Sequence, residues 1–254
     1  MENTDPESTP DPTIDKNSNW ALPVDKLVVS NISPDALNLN VNGRQLAGPM
    51  QGFGQLWQKT YQVRLSGVVV TPEEVIRIWK ANFEQFWPPG NKFFGPFTSI
   101  SPGEIAVLNL AMPGGLKLST GVMVIYADEV SFTFMCPEGH IFGAWITFSA
   151  FEEDNATVAQ VQALVRANDP IYELSLRLGI GHRIEDRFWL YTLRSLSEHF
   201  GVQGFPQHHV SLIDPRMQWS NARNIWLNAG VRSVLAAPVH GVRQAYRRFM
   251  RNRQ

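Results

Sequence analysis

Residues 170–202 read PIYELSLRLGIGHRIEDRFWLYTLRSLSEHFGV, the longest part of the chain with a helical pattern. Apolar residues recur at spacings of three and four: Ile171, Leu174 and Leu178, then Ile184, Phe188 and Tyr191, with Trp189, Leu193, Leu196 and Phe200 beside them. So wide an apolar arc predicts a helix largely covered by other elements. Asn168-Asp169-Pro170 opens it with a capping side chain followed by a proline whose missing N–H costs nothing there. Gly179-Ile180-Gly181 interrupts it, predicting a kink, or a short first helix followed by the main one.

Upstream, the hydrophobic period changes from 3.6 to 2. In residues 55–67 (QLWQKTYQVRLSG), Trp57, Lys59, Tyr61, Val63 and Leu65 share one side of a strand. Thr71-Pro72-Glu73-Glu74 starts a helix with Val75, Ile78, Trp79 and Phe83 on its apolar face, and Trp87-Pro88-Pro89-Gly90 stops it. Residues 91–101 read as a loop carrying Phe93, Phe94 and Phe97. Strands follow at 104–112, 116–127, 130–136 and 140–151. On the second, Leu118, Thr120, Val122, Val124 and Tyr126 share a face. On the fourth, Ile141, Gly143, Trp145, Thr147, Ser149 and Phe151 oppose Phe142, Ala144, Ile146, Phe148 and Ala150. Glu152-Glu153-Asp154-Asn155 is a polar hairpin turn. Residues 156–166 (ATVAQVQALVR) fit either period and read as a strand because they are short and follow that turn. The order is strand, helix, about five antiparallel strands and a long helix, which makes the chain α+β, with a sheet wrapped over the last helix.

The ends differ from this middle. Residues 1–19 are polar and acidic and read as a disordered tail. Residues 20–54 form an N-terminal extension, with a short strand at Leu27–Ser30, alternation at Leu37, Leu39 and Val41, and an Asn42-Gly43 turn. Residues 203–254 read as a helical extension. It comprises a polar linker to Met217 containing His208 and His209, an amphipathic helix over 219–236, a break at Pro238, and a basic arm with Arg243, Arg247, Arg248, Arg251 and Arg253. The domain itself is placed at 55–202.

With 254 residues, 44% of them hydrophobic, the chain can bury a substantial core. A net charge of −1 argues against DNA binding by the molecule as a whole. The single cysteine, Cys136, excludes an intramolecular disulfide and a cysteine-based zinc site. No apolar run reaches the length of a membrane span, and the acidic N-terminus lacks the pattern of a signal peptide, so a cytoplasmic location is expected.

The succession EIAVLNL (104–110), KLSTGVMVIYADEVSFTF (117–134) and CPEGHIFGAWITFSAFEEDNATVAQVQALVRANDPIYEL (136–174) resembles the START-like, or SRPBCC, superfamily, in particular its uncharacterised bacterial members. The resemblance covers residues 55–202 and implies a helix-grip fold, a curved antiparallel sheet around a long C-terminal helix. Relatives include lipid carriers, binders of hormones and natural products, and polyketide cyclases or aromatases. The resemblance therefore implies a cavity for a hydrophobic or amphipathic small molecule.

Candidate ligand-binding residues are Trp87, Phe93, Phe94, Tyr126, Trp145, Trp189 and Tyr191 as apolar walls, with Arg183 or Arg187 reaching in to neutralise an anionic group. His182, Arg183, Glu185, Asp186 and Arg187 form a dense polar cluster just past the double glycine, the expected polar end of the cavity. A cyclase, aromatase or hydrolase would need a general acid or base beside the same pocket, and His140, Glu138 or Tyr126 are the residues to consider. A third reading is a regulatory or structural protein with a filled core, acting through its ends. No cofactor or metal is called for. The basic arm could touch an acidic membrane surface, and either extension could support a homo-oligomer.

Overall fold

A computed structural model describes residues 19–30, 33, 35–95, 100–112 and 115–236. The acidic tail to residue 18, Phe97 and the basic arm lie outside the described residues. Among the described residues, nine strands form one antiparallel sheet. They are β1 (Leu46–Ala47), β2 (Leu56–Leu65), β3 (Lys92–Phe94), β4 (Ile105–Ala111), β5 (Lys117–Ala127), β6 (Ser131–Pro137), β7 (Phe142–Glu153), β8 (Ala156–Ala167) and β9 (Gln207–Asp214). The spatial order is β3-β4-β5-β6-β7-β8-β2-β9, with β1 pairing the end of β6. The sheet stays open. Helix α1 (Pro72–Ala81) and helices α2 (Pro170–Arg177) and α3 (Ile180–His199) pack on it, giving the α+β helix-grip arrangement.

Local signals acted where they were expected. Thr71 Oγ1 accepts the Glu74 N–H at 3.2 Å to cap α1. Asp169 Oδ1 accepts the Ile171 and Tyr172 N–H groups to cap α2. Gly179, at φ 72°, separates α2 from α3, a conformation that carries little strain only without a Cβ. Asp154 and Asn155, at φ 47° and 59°, make the tight turn of the β7–β8 hairpin, where short polar side chains tolerate the left-handed region.

The concave face of the sheet is filled by one core cluster. Trp79, Phe83, Phe132, Phe134 and Phe148 meet Trp189, Leu193 and Leu196 of α3, all buried. Phe132 and Phe148 stack at 4.7 Å, and Trp79 and Trp189 set their edges on Phe148. A smaller cluster of Leu27, Val41, Val107 and Met123 lies on the opposite face, where the N-terminal extension covers β4 and β5. That extension contributes loops at Leu27–Ser30 and around Leu37–Val41 rather than the expected strand.

Residues 91–101, expected as a loop, contain β3 at Lys92–Phe94, paired with β4. Three further expectations need correction. Residues 207–214 form β9, paired along β2 from Gln62↔Gln207 to Leu56↔Asp214, and not a linker. Residues 219–236 are not one helix. A 3-10 helix spans Trp219–Leu227, and residues 229–236 are helical beyond Asn228. The physical reason is a row of asparagines that bind backbone carbonyls and the Asp169 carboxylate elsewhere. Asn221 donates to Gly52 O, Asn224 to Gln51 O and Asn168 O, and Asn228 to Asp169 Oδ2 at 2.7 Å. Gly139, at φ 82°, lets this strap pass close, since a Cβ there would sit 2.0 Å from Leu227 O. Third, only part of the apolar arc of residues 170–202 is covered. Trp189, Leu193 and Leu196 are buried, whereas Ile171, Leu174, Leu178, Ile184 and Tyr191 face outward and are exposed.

Candidate functional site

Under the middle of α3 the wrap is solid. Space remains toward the β3 edge, where an open groove of about 890 Å³ lies between the concave side of β4 and β5, the end of α1 and the 3-10 turn Phe83–Phe86. Its floor is apolar, made by Phe83, Trp87, Phe93, Ile100, Ala106 and Val124. Pro88-Pro89-Gly90 forms one lip. The two prolines forbid continuation of helical hydrogen bonding, so the chain leaves the turn extended and leaves the floor open.

The rim is polar, and most of it is already engaged. Lys92 Nζ pairs with Glu84 Oε1 at 2.7 Å. Lys80 Nζ donates to Asp128 O at 2.6 Å and lies 5.8 Å above the Phe132 ring. Glu104 Oε2 accepts the Ser101 N–H, and burial pushes its carboxyl above the usual range. The Trp87 indole Nε1–H is buried and has no acceptor among the described residues. Such an orphaned donor is costly unless a bound molecule supplies an oxygen.

A second polar feature lies between β2 and α3. Lys59, fully buried, sits 2.8 Å from both Glu185 Oε2 and Asp186 Oδ1. The Tyr61 hydroxyl donates to the same Asp186 oxygen at 2.7 Å. Burial drives the Tyr61 pKa far upward, so the hydroxyl keeps its proton. The Lys59–Glu185 contact is an ion pair at 2.8 Å, and Glu185 Oε1 has no donor among the described residues. Burial raises the Glu185 pKa and the Lys59 charge opposes it. His182 sets its ring edge-on to Trp57 at 5.0 Å, and its pKa is lowered by burial and then by Lys59.

The candidate residues are distributed between these places and the surface. Trp87, Phe93 and Phe94 line the groove. Phe94 also packs toward the outer cluster, because strand alternation turns it away from Phe93. Trp189 belongs to the packed core. Tyr126 and Trp145 are corrected as pocket walls. A bulge in β5 between Val124 and Tyr126 puts Tyr126 opposite Thr133, off the concave side, where it packs on Trp20 and donates to Asp128. Trp145 stands on the outer face of β7, opposite to buried Ala144 and Ile146, and is 47% exposed. Arg183, Arg187 and Tyr191 point outward, so the inward polar groups of α3 are Glu185 and Asp186 instead. Phe83, Ile100, Ala106 and Val124 complete the floor. Their apolar character was legible, but the gap between them was not.

His140, Glu138 and Cys136 do not converge. Cys136 is buried in the main core, and burial pushes its thiol up. Glu138 Oε2 accepts the Gln45 N–H at 3.2 Å. His140 is buried with Nδ1 accepting the Phe142 N–H at 3.1 Å, and burial lowers its pKa from 6.5 to about 4. A neutral imidazole with its acceptor nitrogen occupied is a structural group. Its folded pKa lies below its unfolded one, so the unfolded chain binds the extra proton. Stability present above pH 6.5 is therefore lost as the pH falls toward 4, by roughly 3 kcal/mol for this group. Urea unfolding of the wild type across this window should show the decline, and His140→Asn should flatten it. An unchanged slope in the variant would remove His140 as its source. Among the described residues no group of three His, Cys, Asp or Glu side chains could hold a metal ion.

No family model and no curated protein matches the chain. Solved structures similar to it include a START superfamily protein from Mycobacterium smegmatis, with 18% identity over 58% of this chain and 98% of that one and a TM-score of 0.40. Protein Ms6760 from the same organism has 16% identity over 57% of this chain and 90% of that one, with a TM-score of 0.39. The di-domain ARO/CYC StfQ from the steffimycin biosynthetic pathway has 12% identity over 58% of this chain and 53% of that one, with a TM-score of 0.46.

Proposed function

We propose that the chain binds a small amphipathic molecule, its apolar body on the floor of the groove and its polar end at the rim. The observation that carries this reading is the aromatic floor of Phe83, Trp87 and Phe93, open in a domain whose core is otherwise packed. Pockets of this volume, with apolar walls and few polar groups, suit ligands of drug or lipid-fragment size. The unpartnered Trp87 Nε1–H fits a ligand oxygen at the wall. His140, Glu138 and Tyr126 all lie off the groove, and the rim carboxyl with a raised pKa, Glu104, is held by the Ser101 N–H, so binding is better supported than catalysis.

The anionic fluorophore anilinonaphthalene sulfonate is a suitable probe. Its fluorescence should rise on adding the protein, and Phe93→Ser should weaken binding roughly ten-fold or more, the effect of losing one ring's apolar contact. Trp145→Ala, on the outer face, should leave the affinity unchanged. Equal binding by Phe93→Ser and the wild type, with both folded, would exclude the groove as the site.

A further inference from the structure

The outward side of the two late helices is a surface that the groove does not explain. Ile171 and Leu174 of α2, Leu178 just past its end, and Ile180, Ile184 and Tyr191 of α3 are exposed, Leu178 to 63% and Ile184 to 56%. Their spacing aligns them as one stripe on each helix, on the side away from Trp189, Leu193 and Leu196. Exposed aliphatic side chains gathered on one face of two adjoining helices mark a place where something docks.

The charges around the stripe have one sign for most of its length. Arg183, Arg187 and Arg194 are exposed beside it and form no ion pair among the described residues. The carboxylates of the same stretch are engaged elsewhere. Glu185 and Asp186 turn inward to Lys59, and Glu173 pairs with Arg177. Glu198 is the exposed acid near the C-terminal end of α3. Residues 215–254 continue the bias, with eight arginines and no acidic residue.

We propose that the outward face of α2 and α3 docks peripherally on an anionic lipid bilayer. Aliphatic side chains enter the boundary between headgroups and acyl chains, and Arg183, Arg187 and Arg194 reach the lipid phosphates with their stems along the apolar surface. Charge selects this occupant. A second copy of the chain, meeting through the same face, would set these arginines against their own counterparts. A nucleic acid would leave the aliphatic stripe uncovered. Among the described residues no helix is long and apolar enough to cross a membrane, so the contact is one of surface docking.

Co-sedimentation of the full chain with phosphatidylcholine vesicles, with and without phosphatidylglycerol, tests this. Binding is expected to the anionic vesicles alone and should weaken with salt. The double variant Ile180→Ser/Ile184→Ser should lower the partition by about ten-fold or more, because interfacial binding scales with inserted apolar area. It should keep the wild-type melting temperature and the groove's response to anilinonaphthalene sulfonate, which separates this face from the groove. Wild-type partition by the folded double variant would overturn the proposal and move binding to the basic arm. So would a dimer that the same variant dissolves while neither protein binds vesicles.

Discussion

Lys59→Ala should cost about 3–5 kcal/mol of folding stability in urea denaturation, the range for leaving a buried charge without its partner. In the wild type one ammonium lies 2.8 Å from two carboxylates, Glu185 and Asp186, on the helix that closes the sheet. Removing it leaves the Glu185 carboxylate buried beside the negative charge of Asp186. The double replacement Lys59→Met/Glu185→Leu should recover most of the loss, since it removes the buried charges together. The pH dependence has a definite sign. Without Lys59, burial and Asp186 both raise the Glu185 pKa above its ordinary 4.5. A group whose folded pKa is raised stabilises the fold at low pH and loses that contribution as pH rises. The deficit of Lys59→Ala relative to the wild type should therefore shrink as the pH falls toward 4.5. A loss under about 1 kcal/mol at neutral pH, the value of a surface pair, would show that water reaches the cluster.

Phe83→Ala should produce a loss of similar size, about 3–5 kcal/mol, for a different reason. The Phe83 ring lies 5.1–5.6 Å from the rings of Trp87, Phe93, Phe132, Phe134 and Phe148, all edge-on. It is at once the floor of the groove and the seal between the groove and the core. Truncation removes contacts from five aromatic neighbours that the backbone holds apart, so the site cannot collapse fully. Phe83→Leu keeps most of the volume and should cost less than half as much. In the same experiment the Ala variant should bind a bulkier aromatic probe than the wild type accepts. A small stability loss with unchanged probe size would mean that the neighbours close over the gap, and the groove would then have a floor independent of Phe83.

Much of the backbone plan was legible because it depends on neighbours in sequence. Thr71 and Asp169 cap helices through hydrogen bonds spanning two or three residues, and Gly179 ends α2 by its own φ. Asp154-Asn155 sets the β7–β8 hairpin, which makes a strand of the ambiguous run after it. The outward position of Trp145 was legible in the same way. Its size suggests a wall residue, but Trp145 shares its face of β7 with Thr147 and Ser149, opposite the uniformly apolar and buried Phe142, Ala144, Ile146, Phe148 and Ala150. Tyr126 shows where this kind of reading stops: one extra residue in β5 reverses the face of everything after it, and no local signal announces the bulge.

The polar end of the domain divides in the same way. The sequence placed a charged cluster at residues 182–187, and the structure has one there, but with Glu185 and Asp186 inward and Arg183 and Arg187 outward. That choice belongs to Lys59 on β2, a buried cation whose partners must be carboxylates. The strand β9 is QHHVSLID, polar and exposed along much of its length, and it exists because the edge of β2 offers unpaired backbone groups. By itself the sequence determined the elements with local hydrogen bonds and a definite period: the caps, the hairpin, the broken helix and the α+β order. Only the tertiary structure decided which apolar face is covered, which charges are buried and where the core leaves a groove. Those outcomes depend on register, on unpaired strand edges and on packing between residues far apart in the chain, and none of these has a local signal.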